Sequence, residues 1–318
     1  MTGFWPSRRV LLTGAGGFLG SHLRERLESL HVAALFAPPR AELDLRDGAA
    51  VARYLDRARP NLVIHAAANV GGIGANRAHP GQFFHDNALM GIQLIEAARR
   101  ASVEKFLCLG TVCAYPKFTP LPFRESDLWN GYPEETNAPY GLAKRMLLVQ
   151  LQAYRQEYGF NGIYLLPANL YGPRDNFDLE TSHVIPAMIR KFIEADEDRA
   201  PSVTLWGDGT PTREFLHVSD AADAVLLAAE RYDDAEPVNI GTGESVSIAA
   251  LAELIGEAVG YRGAIAWNVA QPGGQPRRQL DTTRARDAFG FTARVRLADG
   301  LRDAVAWYRM RRPPRPKP

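Results

Sequence analysis

At 318 residues the chain exceeds what one compact core usually supports, so one elaborated α/β domain or two closely joined lobes is expected. Its 37 Lys and Arg against 36 Asp and Glu exclude the long-range basic field of nucleic-acid or anionic-membrane binders and leave anionic ligands to a local pocket. Cys108 and Cys113 match neither a zinc spacing nor a disulfide framework, and the N-terminal MTGFWPSRRV has no apolar core, so a cytoplasmic protein bound to neither membrane nor nucleic acid is expected.

In chain order, the runs at 8–14, 31–37, 61–68, 105–111 and 162–168 read as buried strands, being short, apolar and bounded by turn residues. Helix-length patterns at about 17–30, 45–58, 80–101 and 138–159 alternate with them, which implies a doubly wound, Rossmann-like parallel sheet covered on both faces. From Tyr171 to about Asp208 the pattern is loop-rich with one amphipathic helix, VIPAMIRKFIEA. HVSDAADAVLLAAE and PVNIGTG then return a helix and a strand to the sheet, and helices follow at 248–259 and 297–310. The expected division is a nucleotide-binding domain over 1–170 plus about 216–243. A smaller mixed α/β substrate lobe takes about 171–215 and 244–310, and 311–318 forms a flexible basic, Pro-rich tail.

Thr13-Gly14-Ala15-Gly16-Gly17-Phe18-Leu19-Gly20 follows the first strand and opens a helix, the context in which a glycine loop turns tightly and offers backbone N–H groups to a pyrophosphate. Gly14, Gly17, Phe18, Leu19 and Gly20 are its candidate contacts. The second strand ends in Phe36-Ala37-Pro38-Pro39-Arg40 with no carboxylate, which with Arg40 favours a 2′-phosphate and hence NADP(H), NAD(H) being the alternative. Asp44-Leu45 either hold the adenine edge or begin the next helix, with Asp44 as its cap.

Tyr140 and Lys144, four residues apart on one helix, share a face, and a phenol beside a cationic lysine is drawn toward phenolate. Thr111 adds a hydroxyl at the end of the 105–111 strand. In GTVCAYP (110–116), Cys113 is either an inert apolar side chain or a proton-moving thiol, and composition favours the first. His183 is either a polar cap for VIPAMIRKF or a functional imidazole. His79, His85 and His217 form no ligand pattern, so no metal is expected, and His217 reads as structural.

Taken together these features resemble the extended short-chain dehydrogenase/reductase superfamily. The runs HAAANVGGIGAN (65–76), CAYP (113–116), PYGLAKRM (139–146), PANLYGPRDNF (167–177), SHVIPAMIRKFIEA (182–195), LWGDGTPTREFLHV (205–218) and PGGQPRRQLD (272–281) are similar, over nearly the whole chain, to the GDP-L-fucose synthase family. That resemblance implies a homodimeric enzyme acting on a GDP-linked 4-keto-6-deoxyhexose, epimerising C3 and C5 and then reducing C4 with NADPH. It implies Tyr140 as the acid for reduction, Lys144 as its neighbour, Thr111 as the hydroxyl that polarises the ketone, and Cys113 with His183 as the epimerising pair. It further implies cofactor contacts at Ala66, Ala67, Leu109, Gly110, Pro167, Asn169, Leu170 and His183, and substrate contacts at Lys191, Trp206, Arg213 and Arg278. Asn87 is expected to pin the active-site loop beside the substrate.

The chain departs from the family pattern in places. Thr111 stands for a usual serine, and Val112 for a hydroxyl residue. Gly16 and Pro38 fall where some members place arginines. Gly273 replaces a common aspartate, and losing that charged contact redirects specificity in principle. A related C5-epimerase/4-reductase, an enzyme with only one of the two activities, and a non-catalytic NAD(P)-binding sensor or assembly protein are the alternatives.

Overall fold

The computed structural model describes residues 3–270 and 275–312, so Gly273 lies outside the described residues, as does nearly all of the expected tail. In chain order its strands are β1 (Arg9–Thr13), β2 (Ala34–Phe36), β3 (Leu62–His65), β4 (Lys105–Leu109), β5 (Gly162–Pro167), β6 (Asn169–Tyr171), β7 (Ser202–Trp206), β8 (Thr212–Arg213), β9 (Phe215–His217), β10 (Val238–Ile240), β11 (Val246–Ser247) and β12 (Ala264–Asn268). Its α-helices are α1 (Phe18–Ser29), α2 (Gly48–Ala58), α3 (Ile73–Ala78), α4 (Pro80–Arg100), α5 (Ala138–Tyr158), α6 (Val184–Glu197), α7 (Val218–Arg231), α8 (Ile248–Val259), α9 (Thr283–Phe289) and α10 (Leu297–Arg311).

A six-stranded sheet runs in the order β10-β5-β4-β3-β1-β2 with every neighbour parallel. Its central strands are buried along their whole length, as expected where helices cover both faces of an unbroken apolar run. Because β2 and β3 flank β1 on opposite sides, strand order reverses at β1, and a crevice forms at the carboxyl ends of the strands. Gly14, Ala66, Gly110 and Ala168, the residues that follow β1, β3, β4 and β5, all fall on that edge.

A second core lies apart from the sheet, where Ile189 and Phe192 of α6 meet Val203 and Leu205 of β7, Leu251 and Ile255 of α8, and Leu301 of α10. The expected lobe boundary is corrected on one segment. Leu280, Ala285, Phe289 and Phe291 belong to the larger core, because α9 packs on α7 and β10 rather than on the small lobe.

Three local expectations also change. The strand expected over 31–37 shrinks to a half-buried edge strand, since His31 turns the chain with a left-handed backbone. The helix expected from residue 45 begins at Gly48, and its cap is Asp47, whose carboxylate accepts from the Ala50 N–H at 3.0 Å. The segment around 171–208 carries β6 and β7 besides its helix; β6 pairs with β9, and β7 pairs with β12, some sixty residues further on.

Candidate active site

The glycine loop turns on Gly14, whose positive φ of 75° is one that side chains rarely tolerate, and where a Cβ would stand 2.7 Å from the backbone of Ala67. The loop therefore lies directly against Ala66-Ala67 at the end of β3. Gly17 precedes α1 with no side-chain cap, which leaves the amides of Phe18, Leu19 and Gly20 in the first turn to an external anion. A close-packed turn with open helix amides fits the pyrophosphate of a dinucleotide. A side chain at Gly16 would meet open space.

Beyond β2, Arg40 is exposed, with Nε 3.9 Å from the Asp44 carboxylate. Asp44 is already gripped by Arg46 through Nη2 at 2.7 Å and Nε at 3.0 Å, which holds its carboxyl down at about 2. Leu45 is buried in the core. The cap role once open to Asp44 belongs to Asp47, and sequence gave no sign of Arg46.

Tyr140 and Lys144 lie one turn apart on the buried face of α5. Tyr140 shares a hydrogen bond with the Thr111 side chain, and Thr111 Oγ1 accepts from the Cys113 N–H at 3.1 Å. Thr111 thereby caps a short 3-10 turn over Val112–Ala114. That turn is clamped from α5, where the Arg145 guanidinium donates to the Ala114 carbonyl and where a Cβ at Gly141 would stand 2.4 Å from the Cys113 carbonyl oxygen. Only a glycine after Tyr140 permits such contact. Tyr164 fixes the other side by donating to the Lys144 carbonyl at 2.8 Å.

The expected drift of Tyr140 toward phenolate is corrected. Burial raises its pKa, with Cys113 adding to the effect, and outweighs the Thr111 hydrogen bond. Burial likewise lowers Lys144. Cys108, facing Lys144 from β4, is pushed up to about 11 by burial and stays a core thiol.

His183 starts α6 but makes no side-chain cap, so the capping alternative fails. The residue as a whole is exposed, but its imidazole is enclosed by protein, and that enclosure, followed by the charge of Arg278, lowers its pKa below 6.5. His217, in contrast, caps α7 through Ser219.

The expected substrate residues fall into pairs. Lys191 Nζ sits 5.8 Å from the ring centre of the exposed Trp206 and donates to the Thr204 carbonyl. Arg213 and Arg278 oppose each other electrostatically, and burial with this repulsion lowers Arg213 to about 9. The Glu214 carboxylate accepts from the N–H groups of Thr242, Gly243 and Leu280. Asn169, on β6, donates to the Glu214 carbonyl, while Pro167 and Leu170 flank it half-buried, and Gly110 at the end of β4 is tied to the Leu165 carbonyl next to Leu109.

Asn87 is 1% exposed, and its amide is spent on the backbone of Asn69 and Phe83, so it pins the loop after β3 and cannot also touch a substrate. Glu134, buried and interacting with Arg213 and Arg278, and Gln275 beside Arg278 were missed, as loop residues with no periodic signal. Among the described residues no cluster suited to a metal ion occurs, and no helix is long and apolar enough to cross a membrane.

This geometry defines a dinucleotide-type fold in which Thr111 bonds Tyr140 and Tyr140 shares a buried helix face with Lys144. Residues 10–241 match the model of the NAD dependent epimerase/dehydratase family. The chain is 42% identical over 302 residues to GDP-L-fucose synthase 1 of Arabidopsis thaliana, covering 95% of this chain and 93% of that protein. Two C. jejuni structures are also similar: a GDP-6-OMe-4-keto-L-xylo-heptose reductase (TM-score 0.92, 26% identity, 98% and 100% coverage) and a GDP-mannoheptose C4 reductase with NADP bound (TM-score 0.88, 27% identity, 96% and 100% coverage). The chain belongs to the NAD dependent epimerase/dehydratase family and, within it, to the GDP-L-fucose synthases, and it is an NAD(P)-binding nucleotide-sugar epimerase/reductase.

Proposed function

We propose that the chain converts GDP-4-keto-6-deoxy-D-mannose to GDP-L-fucose, moving protons at C3 and C5 through Cys113 and His183 and reducing C4 with NADPH. One observation carries the reading: Thr111 links the Tyr140 phenol to the Cys113 turn, while Arg278 acts on both Cys113 and His183, so reduction and epimerisation groups adjoin.

With the C4 carbonyl against the Thr111 and Tyr140 hydroxyls, its polarisation acidifies the C–H bonds at C3 and C5. At each of the two carbons in turn Cys113 removes the proton and His183 delivers one to the opposite face, and between rounds the thiol gives up its proton and the imidazole takes one up through solvent. Tyr140, kept protonated by burial, then gives its phenolic proton to the C4 oxygen, beside Lys144. NADPH, when bound, supplies the hydride to C4. Its pyrophosphate would be held by the amides of Phe18, Leu19 and Gly20 and its 2′-phosphate by Arg40; Ala66, Ala67, Leu109, Gly110, Pro167, Asn169, Leu170 and His183 would line its nicotinamide side. Lys191, Trp206, Arg213 and Arg278 would hold the GDP-sugar. The reading includes a cytoplasmic homodimer joined through α4 and α5, which expose Ile92 and Val149.

Incubation with GDP-4-keto-6-deoxymannose and NADPH in heavy water tests it. The expected product, read by NMR, is GDP-L-fucose with deuterium at C3 and C5. Deuterium at C5 alone, or reduction without deuterium, overturns the double epimerisation, and a lower KM for NADH than for NADPH overturns the cofactor assignment.

A further inference from the structure

Arg278 approaches Cys113 in a way that a grip on substrate alone does not require. It is 6% exposed, and its Nη1 stands 3.5 Å from the Cys113 sulfur. Its Nε donates to Oε1 of Gln275 at 2.7 Å. Gln275, 3% exposed, donates in turn to the carbonyls of Lys117 at 3.0 Å and Pro116 at 3.4 Å, in the segment that directly follows the Cys113 turn. Backbone bonds from the Arg278 N–H to the Thr212 carbonyl and from the Phe123 N–H to the Gln279 carbonyl hold the extended segment around Arg278 on both sides. Guanidinium and sulfur are therefore set in register by the fold before any substrate arrives.

Among the described residues this guanidinium bonds Gln275 and Cys113 and forms no ion pair with a carboxylate. Arg213 and His183 oppose it, and Glu134, the acid that acts on it, already accepts from Thr136 and Asn137. A buried guanidinium that is always charged favours a neighbouring anion. Among the described residues, Tyr140 and Arg213 also interact electrostatically with Cys113.

We propose that Arg278 is a catalytic residue for the proton transfers, its guanidinium stabilising the Cys113 sulfur anion whenever the thiol is without its proton, and that Gln275 is its positioning residue. The step balances within the site: the sulfur anion takes a proton from C3 or C5, an S–H bond forms as the C–H bond breaks, and the electron pair passes into the enolate. The guanidinium keeps all its protons throughout. This rests on the reading of Cys113 as the proton-moving thiol.

The test uses substrate-free enzyme, where a grip on the substrate diphosphate has no effect. Iodoacetamide labelling at pH 7, with Cys113 and Cys108 distinguished by peptide mass spectrometry, is followed alongside deuterium incorporation during turnover. Arg278→Met is expected to slow Cys113 labelling and deuterium incorporation each roughly tenfold or more, with Arg278→Lys restoring most of both and Gln275→Ala falling between. Wild-type labelling in Arg278→Met with only a raised KM for the sugar nucleotide overturns the proposal and leaves Arg278 a substrate contact. If Arg278→Met does not fold, Gln275→Ala decides, and unchanged labelling there overturns the proposal. Full deuterium incorporation by Cys113→Ser instead refutes the reading of Cys113 itself.

Discussion

Val112 separates two neighbours to which the proposed mechanism gives different tasks. It is 4% exposed and belongs to the larger core, so the short turn it anchors sends Thr111 toward Tyr140 and Cys113 toward Arg278. Thr111→Val keeps the size and removes the hydroxyl, so hydride transfer is expected to fall on the order of 100-fold and deuterium incorporation by a smaller factor, because the keto group itself acidifies the C–H bonds and the enolate keeps the Tyr140 hydroxyl. Cys113→Ser should do the reverse. Stopped-flow NADPH oxidation and NMR of the product measure the two signals, and equal loss of both in both variants would sink this division. The spacing of Tyr140 and Lys144 was legible in the sequence, because four residues along a helix return to the same face. The protonation of Tyr140 was not, because it follows from how completely the surrounding chain removes water.

The loop after β3 is held by α4, and what holds it is spread along the sequence. Asn87 receives the Asn69 N–H at 3.0 Å and donates to the Asn69 and Phe83 carbonyls. Asp86, beside it, accepts from Asn69 and Arg46, and Arg46 grips Asp44. A polar chain thus runs from Asp44, between β2 and α2, to the loop that continues from Ala66 and Ala67. Asn87→Ala would leave buried backbone groups unpaired, costing about 2–3 kcal/mol. In urea titration the midpoint should fall, and the KM for NADPH should rise more than kcat drops; a wild-type KM in a destabilised protein would mean that the loop does not bear on the cofactor. Strand–helix alternation exposed the parallel sheet because each apolar run carries its own signal. The polar chain through Arg46 and the β7–β12 pairing gave none, since their partners meet only after folding.

At the scale of the whole molecule, the two cores are joined along a seam between α1 and residues 172–175. His22 Nε2 lies 3.0 Å from the Pro173 carbonyl, and Arg174 pairs with Glu25 at 2.5 Å. Asp175 ends this seam, and Phe177, two residues on, is already in the smaller core. Its Oδ1 accepts from the Asn176 N–H, but Oδ2 is buried without a partner, and burial raises the carboxyl to about 7. An ordinary aspartate near 3.8 in the unfolded chain ionises first as pH rises, so the folded state then binds more protons than the unfolded one. Stability contributed by the neutral carboxyl is full below about pH 4 and is lost progressively up to about pH 7, by up to about 4 kcal/mol. Asp175→Asn, neutral at every pH, should therefore raise the melting temperature most at pH 8 and little at pH 4.5. An equal shift at both values in calorimetry would show that the seam does not sense this carboxyl, and a lower melting temperature at pH 8 would mean that Oδ2 finds a donor when ionised.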